Sequence, residues 1–383
     1  YVYVTRGLLA HLNNEAQLAV VLGHEIGHVA ARHASQQAGR QQLTQGLLLG
    51  GAVASGVAFG GDVANQVIGL GGQAAQLLSL SYSRDNERES DRLGVEYATK
   101  AGYDAAEGSA FFTTLKRMQK QSGQSIPTWQ STHPDPGARE NTIVELAQSW
   151  QQKVGRPATA QEQDAYYRAL ERIVLGENPR QGFEEDDVFY HPELAFQFPT
   201  PAGWTVQNQP RQVAIVQPSQ EAYMLFGFAE GETPEAAAQS LRGQEGLTVT
   251  ESGATQVNGF SAYRVLASGQ TQQGQSVRLL AYFIEDGDQV YQFRGLTTAG
   301  QYEAYRPAFV ETMTGFGRLQ NQDILGVQPT RLAIRPAART AAFRTFVEDG
   351  ALPESMNATD LAILNQLELE TTIESGQSLK LPN

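Results

Sequence analysis

Residues 14–36 read N-E-A-Q-L-A-V-V-L-G-H-E-I-G-H-V-A-A-R-H-A-S-Q, and the reading of this stretch decides the fold. It predicts one long helix. Asn14 is an N-cap candidate, and Gln17 stands three residues on, where a capping-box partner belongs. Leu18, Val21, Leu22, Ile26 and Val29 recur at helical spacing, uninterrupted by proline or a charge run. Inside the stretch lies His24-Glu25-x-x-His28. Residues four apart share a helix face, so both imidazoles point to one spot. Two neutral imidazoles so placed can hold a zinc ion at about 2.0–2.1 Å each. Glu25 lies beside that spot, suited to take a proton from a zinc-bound water rather than to bind the metal.

The plain alternative is a surface helix that happens to carry these letters. It leaves Gly23 and Gly27 without a purpose, since a mid-helix glycine costs roughly 0.5–1 kcal/mol relative to alanine. With Val20, Ala30 and Ala31 the two glycines form a narrow stripe beside the histidines. Such a stripe lets another backbone come close, as a helix bringing a third ligand must.

That helix is expected from Ser83 to Ala101, with Gly102 to end it. Glu87 and Asp91 are four apart and share a face, whereas Glu89 and Glu96 point elsewhere. A charge run is ordinarily a solvated face. Here a two-histidine site needs a third protein ligand, which favours Glu87, with Asp91 as the acceptor that fixes a histidine tautomer. Farther on, Ser131-Thr132-His133-Pro134-Asp135-Pro136-Gly137-Ala138-Arg139 is a proline-stiffened loop whose histidine and arginine can reach such a site; spacing alone leaves a surface turn equally open. His11 and His33 are expected to be structural or exposed, with His33 on the side away from His24.

The chain has 383 residues, enough for two or three domains, and a net charge of −13. That balance argues against nucleic acid as a partner and offers no basic patch to anionic lipid. The absence of cysteine excludes disulfides and thiolate metal sites. The chain opens on a strand-like Tyr1-Val2-Tyr3-Val4 without methionine, so a segment upstream of Tyr1 is expected. Residues 46–61 are uncharged and rich in glycine, shorter than the ~20 apolar residues of a spanning helix. Packed helices and a glycine-rich loop near the site are expected there; membrane contact is the minority reading and is not required.

The organisation read from the chain is α+β: a mainly helical domain over 1–154, a linker with a helix over 155–187, an α+β domain on a largely antiparallel sheet over 188–320, and a small βααβ module over 325–383. Helices are expected at 105–121, 141–154 and 161–175. Strands are expected at 194–198, 212–217, 222–228, 247–251, 262–267, 277–285 and 289–295, with helices at 234–242 and 301–314. Asn258-Gly259 and Asp286-Gly287 are turn signals between strands. His191, alone in this region, reads as structural. The tail predicts strands at 332–334 and 378–381 around helices at 340–347 and 359–367. Because every candidate catalytic residue precedes Trp150, removal of the tail is expected to leave catalysis intact.

With the helices placed, the first 150 residues resemble the HtpX/BepA-like zinc metallopeptidases, related to the CAAX prenyl proteases. The matching pieces are Y-V-Y-V-T-R-G-L-L, H-E-I-G-H-V-A-A-R-H, S-R-D-N-E-R-E-S-D-R-L-G and T-H-P-D-P-G-A-R, in that order. The resemblance implies a zincin-like domain of gluzincin type. It implies His24, His28 and Glu87 as zinc ligands, Glu25 as base and Asp91 as support, and marks His133 and Arg139 as active-site residues. That family usually carries a strand and a glycine-rich hairpin just before the position of Tyr1. The middle domain looks like the PsbP/Mog-type sandwich in topology. The tail is similar to a LysM module through residues 361–367 and 376–382, but has Ala338-Arg339-Thr340 where Gly-Asp-Thr stands, which speaks against peptidoglycan as a partner.

The expected function is that of a zinc metalloendopeptidase acting on polypeptides, misfolded envelope proteins among them. Glu25 moves the proton and His133 or Arg139 stabilises the oxyanion. The resemblance implies the bacterial cell envelope, on the periplasmic or extracytoplasmic side. The alternative is a latent zinc-binding, chaperone-like envelope protein with little peptidase activity, in which His133 binds zinc as a fourth ligand. A glycan hydrolase is disfavoured because no suitable carboxylate pair is evident.

Overall fold

The computed structural model describes residues 2–36, 82–122, 133, 139–158, 163–242, 246–270, 274–350, 352–353 and 355–383. The glycine-rich run at 46–61 and the loop residues 131–132 and 134–138 singled out above lie outside them. The described residues form a helical N-terminal region followed by a sheet-rich region. They divide into two compact units: Asn178–Gln328 makes the second, and the first joins the residues before it to Pro329–Asn383.

Unit 1 begins with α1 (Arg6–His11), capped by the Thr5 side chain, and α2 (Glu15–Ala30). Asn14 caps α2 by accepting from the Gln17 amide. Gln17 Oε1 reaches past the cap to the Asn13 amide at 2.9 Å, so the reciprocal bond falls one residue early. The expected single helix to Gln36 is corrected here. The chain turns at Ala31–Arg32, with Arg32 in the left-handed region at φ 58°, before residues 33–36 resume helical conformation. The buried face differs too. Ile26 and Val29 are 46% and 77% exposed, while Ala16, Val20, Val21, Gly23, His24, Gly27 and His28 are buried.

The reason is α3 (Arg84–Ala101), which starts at a capping box on Ser83 and Asn86 and ends at Gly102, φ 101°. It lies against the glycine stripe of α2. A Cβ on Gly23 would stand 2.7 Å from the Gly94 carbonyl oxygen, one on Gly94 2.7 Å from the His24 amide, and one on Gly27 3.1 Å from Ser90 Cα. α4 (Gly108–Ser122), α5 (Arg139–Val154) and α6 (Gln163–Leu170) pack around this pair through Phe111, Phe112, Leu115, Ile143 and Tyr167.

The C-terminal tail belongs to the same core. Leu332, Phe343, Leu361, Ile373 and Leu379 are buried in one cluster with Val20, Phe111 and Phe112. Two short antiparallel pairs frame it, formed later in the chain by Leu332–Pro336 with Ser378–Pro382 and by Ala341–Ala342 with Thr372–Ile373. Between them run helices Phe343–Glu348 and Ala358–Leu364. The βααβ order thus gains an inner strand pair. Lys380 is fully buried, and burial pushes its ammonium pKa well down. Its Nζ donates to the Ala10 carbonyl at 2.6 Å and the Leu12 carbonyl at 3.1 Å, tying the last strand to the end of α1. The tail is therefore part of the helical unit's core, and its removal strips that core.

Unit 2 carries β1 (Phe183–Glu185), β2 (Val188–His191) and β3 (Phe196–Pro199), followed by β4 (Thr205–Gln209), β5 (Gln212–Val216) and β6 (Ala222–Phe228). After α7 (Pro234–Arg242) come β7 (Leu247–Val257), β8 (Phe260–Gln270), β9 (Ser276–Asp286) and β10 (Gln289–Thr298), then α8 (Tyr302–Thr314) and β11 (Gly317–Arg318). Strands β4 to β10 form one antiparallel sheet in the order 4-5-6-10-9-8-7, and β1, β2, β3 and β11 a second. Alternation along β8 and β9 sends Leu266, Leu280 and Tyr282 to the α8 side and Val265, Leu279 and Ala281 to the α7 side. The Asn258-Gly259 turn has both residues at positive φ, 47° and 89°. His191 accepts from the Leu194 amide through Nδ1 at 3.2 Å and helps close the β2–β3 turn.

Candidate metal centre

Helix spacing and the glycine crossing together build the site. On α2, His24 and His28 stand one turn apart, and their Nε2 atoms converge to 3.0 Å. The contact at Gly94 lets α3 bring Glu87 and Asp91 to the same place. Glu87 Oε1 lies 3.3 Å from His28 Nε2, and Oε2 lies 3.5 Å from His24 Nε2. His133 adds a third imidazole: its Nδ1 is 2.9 Å from Glu87 Oε1 and 3.3 Å from His24 Nε2. His24, His28, Glu87 and His133 are all buried, and this cluster can hold a metal ion.

A tetrahedral zinc with ligands at about 2.0–2.1 Å sets neighbouring donors about 3.3–3.4 Å apart. The separations here, 2.9 to 3.5 Å, bracket that spacing. Proton placement agrees. His24 Nδ1 faces Asp91 Oδ1 at 2.9 Å, and His133 Nε2 faces Glu25 Oε1 at 3.5 Å. With the proton on the outer nitrogen, each ring turns a lone pair inward. Three lone pairs and a carboxylate facing one point repel one another unless a cation lies between them. The donor set therefore fits a zinc ion.

The electrostatics follow from burial and these contacts. Burial alone would lower the His24 pKa, but hydrogen bonds to Asp91 and Glu87 outweigh it and raise it. Burial lowers that of His28. Burial would raise Glu87, yet the surrounding imidazoles of His133, His24 and His28 hold its carboxyl far below the usual carboxylate range. Asp91 is likewise held low, against burial, by His24 and Arg139. Arg139 opens α5 and joins both carboxylates: Nε donates to Asp91 Oδ2 at 2.7 Å and Nη1 to Glu87 Oε2 at 2.9 Å, with Nη2 on Asp91 Oδ1. Its guanidinium lies over the Phe112 ring at 4.3 Å. Glu25 stands at the rim, its side chain 35% exposed.

All seven residues singled out in the sequence meet at this centre. Three more were missed. His33 is 1% exposed, and its Nδ1 lies 3.1 Å from His28 Nδ1. Its expected position away from the site fails because the turn at Arg32 breaks the helical phase on which that reading rested. Glu89, expected to point elsewhere, approaches His33 Nε2 at 3.3 Å. Tyr82 packs its ring on His28, centroids 4.0 Å apart. It precedes the α3 cap, where no periodicity marks it.

Comparison with known proteins agrees with this geometry. Residues 1–147 match peptidase family M48. The chain is 32% identical over 154 residues to a putative beta-barrel assembly-enhancing protease of Vibrio cholerae, covering 39% of this chain and 31% of that protein. It is 28% identical over 169 residues to the beta-barrel assembly-enhancing protease of Escherichia coli, covering 44% and 34%. It is 32% identical over 156 residues to the mitochondrial metalloendopeptidase OMA1 of Bos taurus, covering 38% and 28%. The chain thus spans about a third of the length of these relatives. Among solved structures, cyanobacterial PsbP from Synechocystis is 10% identical over 36% of this chain and 91% of that one, at a TM-score of 0.27.

Proposed function

We propose that residues 1–147, homologous to the metallopeptidases of family M48, carry the centre of a zinc-dependent endopeptidase. The observation that carries this reading is the convergence of His24, His28, Glu87 and His133 donors at tetrahedral spacing beside Glu25. A zinc ion bound there supplies Lewis acidity, polarising a carbonyl and lowering the pKa of water toward ~7. His24, His28 and Glu87 act as its ligands. Asp91 fixes the His24 tautomer, and Arg139 holds Asp91 and Glu87 in register. Glu25, at the rim with its side chain 35% exposed, takes a proton from the attacking water and delivers it to the leaving amine. The substrates are polypeptides. The bacterial relatives named for beta-barrel assembly support a role in envelope protein quality control on the extracytoplasmic side. On the same reading the tail is LysM-like and the middle domain of PsbP/Mog type.

The position of His133 favours a latent variant of this reading. Its Nδ1 stands at the fourth vertex of the cluster, where a catalytic zinc site keeps an open position. In this state the centre is idle, and displacement of the His133 ring from that vertex opens it.

The test compares the wild-type protein with Glu25→Gln and Glu87→Ala. Glu25→Gln is expected to keep about one zinc per chain and lose cleavage of a quenched fluorescent peptide by about 10²–10⁴-fold. Glu87→Ala is expected to lose zinc itself. Cleavage that survives in Glu25→Gln would sink the mechanism, and undiminished zinc in Glu87→Ala would remove that residue from the site.

A further inference from the structure

His33 has no part in the reaction above, yet it is among the most buried polar residues of the chain. It directly follows the turn at Ala31–Arg32, and that turn brings its ring back against His28. Three contacts fix its protons. His28 Nδ1 stands 3.1 Å from His33 Nδ1, His33 Nε2 stands 3.3 Å from Glu89 Oε2, and Ser90 Oγ stands 3.4 Å from His33 Nδ1. Between two nitrogens one must donate and the other accept. Glu89 accepts, so the His33 proton sits on Nε2. Its Nδ1 is then a lone pair and takes the proton of His28 Nδ1. His28 is left with its own lone pair on Nε2, pointing at His24 and Glu87.

We infer that His33, anchored by Glu89, is a positioning residue that sets the tautomer and ring orientation of His28. It does for His28 what Asp91 does for His24. The inference rests on the metallopeptidase reading and adds to it a second, independent support for the metal. The two supports differ in kind. Asp91 is a buried carboxylate held by Arg139, whereas His33 hands its load to Glu89, whose side chain is 50% exposed. An imidazole supports a ligand without adding a further carboxylate beside Glu87 and Asp91. A purely space-filling role explains the burial of His33 but not the alignment of three donor–acceptor pairs from the cluster out to solvent.

The experiment measures zinc affinity by competition with a chromogenic chelator, alongside the melting temperature of the zinc-free protein and the visible spectrum of the cobalt-loaded protein. His33→Leu, similar in bulk but without an acceptor, is expected to bind zinc roughly 10–100-fold more weakly and to alter the cobalt bands. Its zinc-free melting temperature is expected to stay close to wild type. His33→Asn, whose Oδ1 stands where His33 Nδ1 does, is expected to recover most of the affinity. Should His33→Leu fail to fold, Glu89→Leu at its half-exposed position carries the test, with a several-fold loss expected. Wild-type affinity in His33→Leu, or in Glu89→Leu where that variant replaces it, overturns the inference. So does an asparagine variant no better than leucine. If the wild-type protein itself binds no zinc, the metallopeptidase reading falls first and takes this inference with it; if it binds zinc and the variants bind equally well, only the inference falls.

Discussion

His133 presents Nδ1 to Glu87 at 2.9 Å and Nε2 to Glu25 at 3.5 Å, so one ring touches both a proposed ligand and the proposed base. A side chain so placed competes with substrate in two ways. It fills the fourth vertex of the cluster, and it engages the carboxylate proposed to move a proton. His133→Ala is therefore expected to raise basal peptide cleavage with zinc content unchanged. An oxyanion donor would behave oppositely, its loss costing roughly 10²–10³ in turnover. Turnover of a short peptide by wild type and His133→Ala separates the two, and a fall of that size would discard the latent state. At this scale the sequence is most informative where helix geometry links the residues. His24, Glu25 and His28, then Glu87 and Asp91, are readable because i,i+4 spacing fixes a shared face. His33 is not, since one left-handed residue, Arg32, resets the phase. Glu89 follows from His33, so it was hidden with it.

Between elements, the distance from α2 to α3 decides whether Glu87 reaches the histidines. That distance is set by backbone contacts at Gly23, Gly27 and Gly94. A methyl group on Gly94 would meet the His24 amide nitrogen at 2.7 Å and its Cα at 3.0 Å, both backbone atoms that cannot swing aside. Gly94→Ala is thus expected to push the helices apart. Overpacking of this kind costs about 1–3 kcal/mol, and the displaced Glu87 should bind zinc more weakly as well. Gly7→Ala is the control: nothing lies within 4 Å of a Cβ at this position in α1, so the change should be neutral or stabilising. Thermal melts and zinc titrations of the two variants check this; equal behaviour would show that the crossing tolerates side chains. The glycines were legible as a close-approach stripe because they are costly in a helix. The exposure of Ile26 and Val29 was not, since periodicity alone does not say which of two adjacent stripes a neighbour will choose. In unit 2 the turn residues and alternation located the hairpins. β7 nonetheless runs to Val257, well past the expected 251, through a polar stretch at the edge of the sheet that pairs with β8.

The chain as a whole places unit 2 as an insertion within unit 1. The strand of chain that leaves unit 1 and the one that returns are paired: Val174 bridges Arg331, and the Leu175 amide donates to the Thr330 carbonyl at 2.9 Å. Periodicity cannot reveal this, because it reports elements and not which distant segments share a core. The tail's partners, α1 and α4, lie more than two hundred residues away in sequence, as the Lys380–Ala10 bond shows. Two deletions therefore have opposite expected outcomes. Replacing Asn178–Gln328 with a two-residue Asn-Gly turn should leave a folded unit 1, because the ends to be joined already form a hairpin-like pair. It should bind zinc as the full chain does. Removing Pro329–Asn383 should instead abolish the fold of unit 1. It takes away Leu332, Phe343, Leu361, Ile373 and Leu379, each worth about 1.5–3 kcal/mol when buried, against a net stability of roughly 5–15 kcal/mol for a domain. It also leaves the Ala10 and Leu12 carbonyls without Lys380. Circular dichroism melts and zinc content of the two purified products decide the matter. A cooperative, zinc-binding product after the tail deletion would show that the helices of the centre do not depend on the tail as their shared core requires, and a collapsed one after the excision would show that unit 1 does not fold without unit 2.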